Sequence, residues 1–281
     1  MSSEMSTTEP ALLTLQEAAD VVGCHYQTLY RRVRSGEVPA LVAGGTYRIS
    51  REDLEEWLQQ RSATAGAVPQ RGVRDWSQQS EALSVVLLAG DSPGARKQID
   101  RLLGGGATIA ELCDNLFAPV LFQIGERWHA GELSIADEHR ASRMIESLLE
   151  RAVSTRQKPG PRVGSVVVAT AIGDHHALAA QMVAAGLQAE GFTVHYLGAD
   201  LPVEEIVRMA TRESADLVAL SCCVQEHEGL AAALAALGAA GFPTLVGGNG
   251  IGSAEASQLG ATRYGGSIGA AQLLARDLVG R

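Results

Sequence analysis

Apolar positions along the chain fall into three patterns, with changes near residues 62–79 and near residue 162. Over residues 12–61 the apolar stretches are short. Thr14-Leu15-Gln16-Glu17 sets a capping threonine three positions before a glutamate and predicts a short helix over LQEAADVV that stops at Gly23. In HYQTLYRRVRSGEVP, Leu29 and Val33 lie four apart on one face, with Tyr26, Tyr30, Arg31 and Arg34 on the others. This predicts a second helix, broken by Gly36 and Pro39. LVAGGTYRIS predicts two short strands around Gly44-Gly45, and Ser50 with Asp53 caps a closing helix, REDLEEWLQQR. Helix, turn, helix, two-stranded wing and helix make a small winged helix-turn-helix.

Residues 62–79 are rich in Ser, Gly, Ala, Pro and Gln without a sustained period, and read as a linker in which Trp76 could dock. Over residues 80–158 the period becomes helical. EALSVVLLAG ends at Gly90, Pro93 sits in the first turn of SPGARKQIDRLLGGG, Thr108 caps one long helix over 109–131, and Ser134 with Asp137 caps IADEHRASRMIESLLERAVSTR. Four helices with short Gly-rich joints predict a four-helix bundle. Over residues 162–281 apolar strand runs such as VGSVVVATA, FTVHYLGAD, ADLVALSCCV and PTLVGGNG alternate with helical patterns. That alternation predicts a parallel α/β sheet of the flavodoxin-like (Rossmann-like) kind, with a ligand beyond the carboxyl ends of its strands.

Composition supports this multidomain α and α/β reading. The chain has 281 residues, 46% of them hydrophobic and only 4% aromatic, so its cores rest on Leu, Val and Ala. No run of 18 apolar residues exists and the polar, acidic start MSSEMSTTEP lacks a signal-peptide pattern, so a cytoplasmic protein with no membrane partner is expected. The four cysteines, at 24, 113, 222 and 223, form no C-x-x-C pair and read as reduced core thiols. Net charge is −9, divided −3, −1 and −5 over residues 1–61, 62–161 and 162–281. No module is basic overall, so any contact with DNA must come from a local stripe and be salt-sensitive.

Three residue groups carry candidate chemistry. The first is the basic and aromatic stripe of the second short helix and the wing. The second is Trp128-His129 followed by Glu138-His139, which a Gly-Glu-Leu turn brings to one rim of the bundle. The third is Asp174-His175-His176 at the end of the first α/β strand, where a dinucleotide site would need G-x-G-x-x-G. An imidazole at that loop suits a metal, and Asp174, two residues earlier, can fix the tautomer of His176. The spacing from Asp174 does not suit His175, and His195 and His227 read as structural or surface residues.

These groups carry a resemblance. LTLQEAADVVG, TLYRRVRSGEVPA, GGTYRIS and REDLEEWL resemble the excisionase-type DNA-binding domains related to the MerR regulators. The resemblance implies that His25, Tyr26, Gln27 and Arg31 face the major groove, with Arg32, Arg34, Tyr47 and Arg48 nearer phosphates. The W-x9-E-H signature, with His129 directly after Trp128, resembles the helical cap of the cobalamin-dependent photoreceptor regulators, the CarH-like family. It implies that Trp128, Glu138 and His139 cover the upper face of adenosylcobalamin, and that His129 becomes the upper cobalt ligand once light removes the adenosyl group. Asp174-x-His176, Ser221 and Gly247-Gly248 resemble the cobalamin-binding pattern D-x-H-x-x-G…S-x-L…G-G. His176 is then the lower cobalt ligand, and the nucleotide tail enters between Ser221 and Gly247-Gly248. Two positions depart from the pattern: Ala179 stands for its glycine and Cys223 for its leucine.

The resemblance implies a non-enzymatic repressor that binds double-stranded operator DNA as a homo-oligomer, dimer or tetramer, with adenosylcobalamin in the dark. A corrinoid carrier of a methyltransferase system, a cobalamin-sensing regulator blind to light, and a regulator that has lost its cofactor remain alternatives.

Overall fold

The computed structural model describes residues 12–22, 29–30, 32–33, 36–43, 46–64, 74–156, 160 and 162–280. It divides into two compact units, one up to Arg74 and one from Asp75.

In the first unit, β1 (Leu12–Thr14) and β2 (Leu41–Ala43) both pair antiparallel with β3 (Thr46–Ser50). The two-stranded wing expected from the sequence therefore has a third strand. Leu13 pairs with Ile49, which draws the segment ahead of the first helix onto the wing. Helix α1 (Leu15–Val22) opens on a reciprocal cap, in which the Glu17 amide donates to Thr14 Oγ1 (3.2 Å) and the Thr14 amide to Glu17 Oε2 (2.8 Å). Ser50 starts α2 (Arg51–Thr64), accepting from the Asp53 amide at 3.0 Å. Ala18, Ala19, Leu29, Ile49 and Leu54 are fully buried between these elements.

The second unit begins earlier than the linker reading of residues 62–79 allows. Helix α2 runs on to Thr64, and α3 (Trp76–Leu88) starts where Asp75 accepts from the Gln78 amide at 3.1 Å. Trp76 thus belongs to the bundle and packs on its core. Asp91 caps α4 (Ser92–Gly104) by accepting from the Gly94 amide.

The third bundle helix, expected to be continuous over 109–131, is interrupted. A short α5 (Ile109–Leu112) passes into a wide π-turn (Cys113–Phe117) before α6 (Ala118–His129). The cause is Pro119, which has no N–H for the carbonyl of Asn115. The buried Ser80 hydroxyl, 3.3 Å away, donates to that carbonyl instead. The last bundle helix, α7 (Ile135–Ser154), starts on the reciprocal Ser134–Asp137 cap.

The chain then alternates through β4 (Ser165–Ala171), α8 (Ala177–Ala189), β5 (Thr193–Leu201), α9 (Val203–Arg212), β6 (Leu217–Ser221), α10 (Glu228–Ala239), β7 (Thr244–Gly247), α11 (Ser253–Gln258), β8 (Arg263–Tyr264) and α12 (Ile268–Val279). All neighbouring strands are parallel, in the order β5-β4-β6-β7-β8. This is the flavodoxin-like order that the strand–helix alternation implies. Its switch point lies between β4 and β6. Thr170, Ser221 and Gly247 stand side by side across the three central strand ends.

Bundle and sheet domain share one core. Met182 and Ala185 of α8 belong to the bundle's buried cluster, and Leu178, Ala189 and Ile268 pack against it. The π-turn contributes a polar joint, because the Asp114 carboxylate accepts from the amides of Ile268 (2.8 Å) and Gly269 (3.1 Å) at the start of α12. It serves as an N-terminal cap supplied from another element. Asp114→Ala should lower the stability of the unit by about 1–3 kcal/mol, with a reduced urea midpoint and an unchanged slope.

Candidate functional site: a carboxylate–histidine pair at the switch point

Beyond β4 the chain turns sharply at Gly173, whose φ of +89° few side chains tolerate, and reaches Asp174. His176 precedes the first turn of α8. Asp174 is only 2% exposed, yet both of its oxygens are used. Oδ1 lies 2.8 Å from His176 Nδ1 and accepts from the His176 amide at 3.0 Å, while Oδ2 accepts from the Cys223 amide at 2.7 Å. Burial works against the charge of Asp174, but the hydrogen bonds from His176 and the Cys223 amide outweigh it and hold its carboxyl below the ordinary range. The same bond raises the pKa of His176 against the effect of partial burial. The imidazole itself is 59% exposed. With Nδ1–H donated to Asp174, Nε2 carries the lone pair available to a metal.

Residues outside the sequence motif hold this loop. Asp200, at the end of β5, adopts a left-handed φ of 58°. Its amide donates to the Asp174 carbonyl (3.0 Å) and to Thr170 Oγ1 (2.9 Å), and its carboxylate accepts from the Gly173 amide (2.8 Å). The Thr170 hydroxyl also donates to the Asp174 carbonyl. Sequence reading missed Thr170 and Asp200. The only signal was their position at the carboxyl ends of strands whose adjacency was still unknown.

Ser221 is buried at the end of β6. Gly247 and Gly248 have a packing reason of their own. A Cβ on Gly247 would come within 2.4 Å of the Gly265 carbonyl oxygen, and one on Gly248 (φ +116°) within 2.1 Å of that of Cys222. His227 is structural, as expected. Its Nδ1 lies 2.7 Å from Glu255, and its Nε2 3.1 Å from the carbonyls of Val224 and Gly250, tying together the loops after β6 and β7. His195 lies 3.8 Å from Glu213, and His175 lies 3.5 Å from Asp200.

At the bundle rim, α6 ends with Trp128, 44% exposed, and His129, their ring centroids 6.4 Å apart. In the first turns of α7, Glu138 Oε2 lies 2.6 Å from His139 Nδ1, and Oε1 accepts from the Ser142 hydroxyl at 2.6 Å. The charge of Glu138 on the rim adds, as the smallest contribution, to the raised pKa of His176.

In the first unit, His25, Tyr26, Gln27, Arg31 and Arg34 lie outside the described residues. Arg32 is engaged internally. Its guanidinium meets Glu37 at 3.0 Å and lies 5.4 Å from the centre of the Trp57 ring. Tyr47 meets Tyr30 edge-on at 5.9 Å, and Arg48 occupies the middle of the three-stranded sheet, opposite Thr14 and Leu41.

Comparison with known proteins matches residues 12–62 to a helix-turn-helix domain, residues 79–152 to a B12 binding domain and residues 164–270 to a second B12 binding domain. The chain is 29% identical over 174 residues to the HTH-type transcriptional repressor CarH of Myxococcus xanthus, covering 60% of this chain and 54% of that protein. It is 25% identical over 134 residues to trimethylamine corrinoid protein 1 of Methanosarcina acetivorans, covering 47% and 62%. The chain thus matches about half to three fifths of the length of these relatives. The fold is similar to that of the Methanosarcina barkeri monomethylamine corrinoid protein, with a TM-score of 0.60, 16% identity, and coverage of 72% of this chain and 99% of that one. No helix among the described residues is long and apolar enough to cross a membrane.

The Asp174–His176 pair has a pH signature in the cofactor-free chain. The depressed carboxyl contributes stability above its ordinary value of about 3.8, and this is lost as pH falls through the folded value. The raised imidazole contributes stability below its ordinary value of about 6.5, lost as pH rises through its folded value. Asp174→Asn should therefore flatten both limbs of a plot of urea midpoint against pH.

Proposed function

We propose that this chain, CarH-like in the order of its helix-turn-helix and two B12-binding domains, is a light-responsive transcriptional repressor. On this reading it assembles as a homo-oligomer on operator DNA when loaded with adenosylcobalamin in the dark. The observation that carries the reading is the Asp174–His176 pair in the same compact unit as the Trp128–His139 rim, on a chain that also bears a helix-turn-helix domain.

The donor set fits the cofactor. His176 would offer Nε2 to the cobalt while Asp174 holds Nδ1–H, the arrangement that fixes a metal-binding tautomer. Adenosylcobalamin, when bound, supplies a cobalt–carbon bond that light cleaves. The chain's own residues do the rest. The exposed Trp128 indole offers an apolar wall with one N–H donor to the adenosyl side. Glu138, oriented by Ser142 and His139, would have lone pairs left to accept from ribose hydroxyls. His129, as a neutral imidazole, would be the rim residue able to offer a nitrogen to the cobalt once no adenosyl group is present. Acidic helix-turn-helix modules, each binding weakly, gain affinity by acting together in the oligomer.

The corrinoid-carrier reading draws on the relatives among the corrinoid proteins. A methyl carrier must leave its upper cobalt face open to partner enzymes, and a bulky Trp128 at the rim opposes that.

The cofactor reading is tested by absorption spectroscopy and light scattering on the adenosylcobalamin-loaded chain, before and after green light. Illumination should change both the spectrum and the mass. Trp128→Ala should impair dark assembly, whereas His129→Ala should assemble and then lose cobalamin more readily after light. His176→Ala should give a spectrum without histidine coordination, and Asp174→Asn should weaken retention by at most about 10–100-fold. If light alters neither spectrum nor mass in the wild-type chain, the light-blind regulator takes precedence.

DNA binding is tested by titrating operator DNA with the full chain and with residues 12–61. The fragment should bind far more weakly, and Arg31→Ala or Arg48→Ala should weaken the full-length complex and reduce its salt dependence. Equal affinity of fragment and dark full-length chain would refute cooperative binding through assembly.

A further inference from the structure

Cys223 occupies the position where the cobalamin-binding pattern carries leucine, and its side chain has no part in the function proposed above. One ligand atom from each of Asp174, His176 and Cys223 lies within 4.8 Å of the other two. We propose that, when cobalamin is absent, these three side chains bind a thiophilic divalent cation of the zinc class, and that this cation and a His176-ligated corrinoid exclude one another.

The donors are a thiol, an imidazole and a carboxylate, the set that suits zinc and its substitute Co2+. The thiol and the small number of oxygens disfavour magnesium and calcium. In a tetrahedral zinc site the ligand atoms stand about 3.3–3.6 Å apart, so closure draws the sulfur in by at most about 1.5 Å and opens the Nδ1–Oδ1 pair by about 0.5 Å. Two of the three ligands are already adjacent, since His176 Nδ1 and Asp174 Oδ1 are 2.8 Å apart with one proton between them. A cation takes that proton's place, while Asp174 Oδ2 keeps the Cys223 amide and holds the thiol's backbone beside the site. The imidazole, 59% exposed, leaves an entry path and room for a water as fourth ligand. Burial first, and then the Asp174 charge, push the free thiol up to about 11, so it is protonated at neutral pH; coordination reverses this and deprotonates it.

The proton balance creates the exclusion. The Sγ proton leaves to solvent, Nδ1 gives up its proton to the metal bond, and Nε2 of the neutral ring takes one up. The net change is one proton released. Nε2–H then has no lone pair for cobalt, so the ring that holds the cation cannot serve as lower ligand.

Cation binding does not depend on the cobalamin reading; the exclusion rests on it. The full-length, cobalamin-free chain is titrated with Co2+. Wild type should develop tetrahedral d–d bands and a thiolate-to-cobalt charge-transfer band, both bleached by Zn2+. Cys223→Ala should lose the charge-transfer band and at least tenfold in affinity, and Cys24→Ala should keep both. No band in wild type, or a band retained in Cys223→Ala, overturns the site. Hydroxocobalamin is then added with and without one equivalent of Zn2+. Zinc should slow formation of the histidine-ligated spectrum in wild type, EDTA should restore it, and Cys223→Ala should be insensitive. An unaffected spectrum in zinc-loaded wild type overturns the exclusion. Failure of the zinc-free chain to take up hydroxocobalamin defeats the cofactor reading instead, and leaves the Co2+ result standing.

Discussion

The buried carboxylate of Asp174 is the contact on which the site depends. A charge in so closed a position is tolerable only when its oxygens are satisfied, and three N–H groups from His176 and Cys223 do this. Each bond fixes a different part of the molecule. The imidazole bond sets the tautomer, the His176 amide shapes the entry into α8, and the Cys223 amide ties the loop after β6 to the loop after β4. The Asp174 carbonyl adds Asp200 from β5 through its amide. Ends of three adjacent strands are therefore linked through one residue, which explains how an exposed imidazole can be held in one orientation.

That loop would be of little use if the bundle moved freely above it. The joint combines apolar and polar parts. Met182 and Ala185 continue the bundle core into the first sheet helix, while Asp114 caps the last helix of the sheet domain. The cap depends on a local irregularity, because the π-turn before Pro119 lies at Asp114 and the Asn115 carbonyl it frees is answered by Ser80. Helix distortion, interdomain cap and buried hydroxyl form one arrangement. Within this compact unit the charge of Glu138 on the bundle is felt at His176 on the sheet domain.

The first unit rests on simpler physics. A reciprocal Thr14–Glu17 cap starts α1, the Ser50 hydroxyl caps α2 by accepting from the Asp53 amide, and a small apolar core closes under the wing. Arg32 is held by Glu37 and Trp57, so the local excess of positive charge over the stripe is smaller than its arginine count suggests.

Much of this was determined by the sequence itself. Helix starts at Thr14, Ser50, Thr108 and Ser134 follow from side chains that reach only three residues along the chain. The alternation of strand runs with helices specifies a parallel sheet, and with it the strand end that carries Asp174 and His176. Tertiary structure alone decided what depends on backbone groups distant in sequence. The Cys223 amide bonded to Asp174, the αL turn at Asp200, the third strand of the wing, the interrupted helix at Cys113–Phe117 and the effect of the Glu138 charge on His176 are of this kind. A main-chain N–H looks the same at every position, so no residue pattern announces which one will meet a buried carboxylate. Only the register of β4 against β5 and β6 brings those partners to the same point.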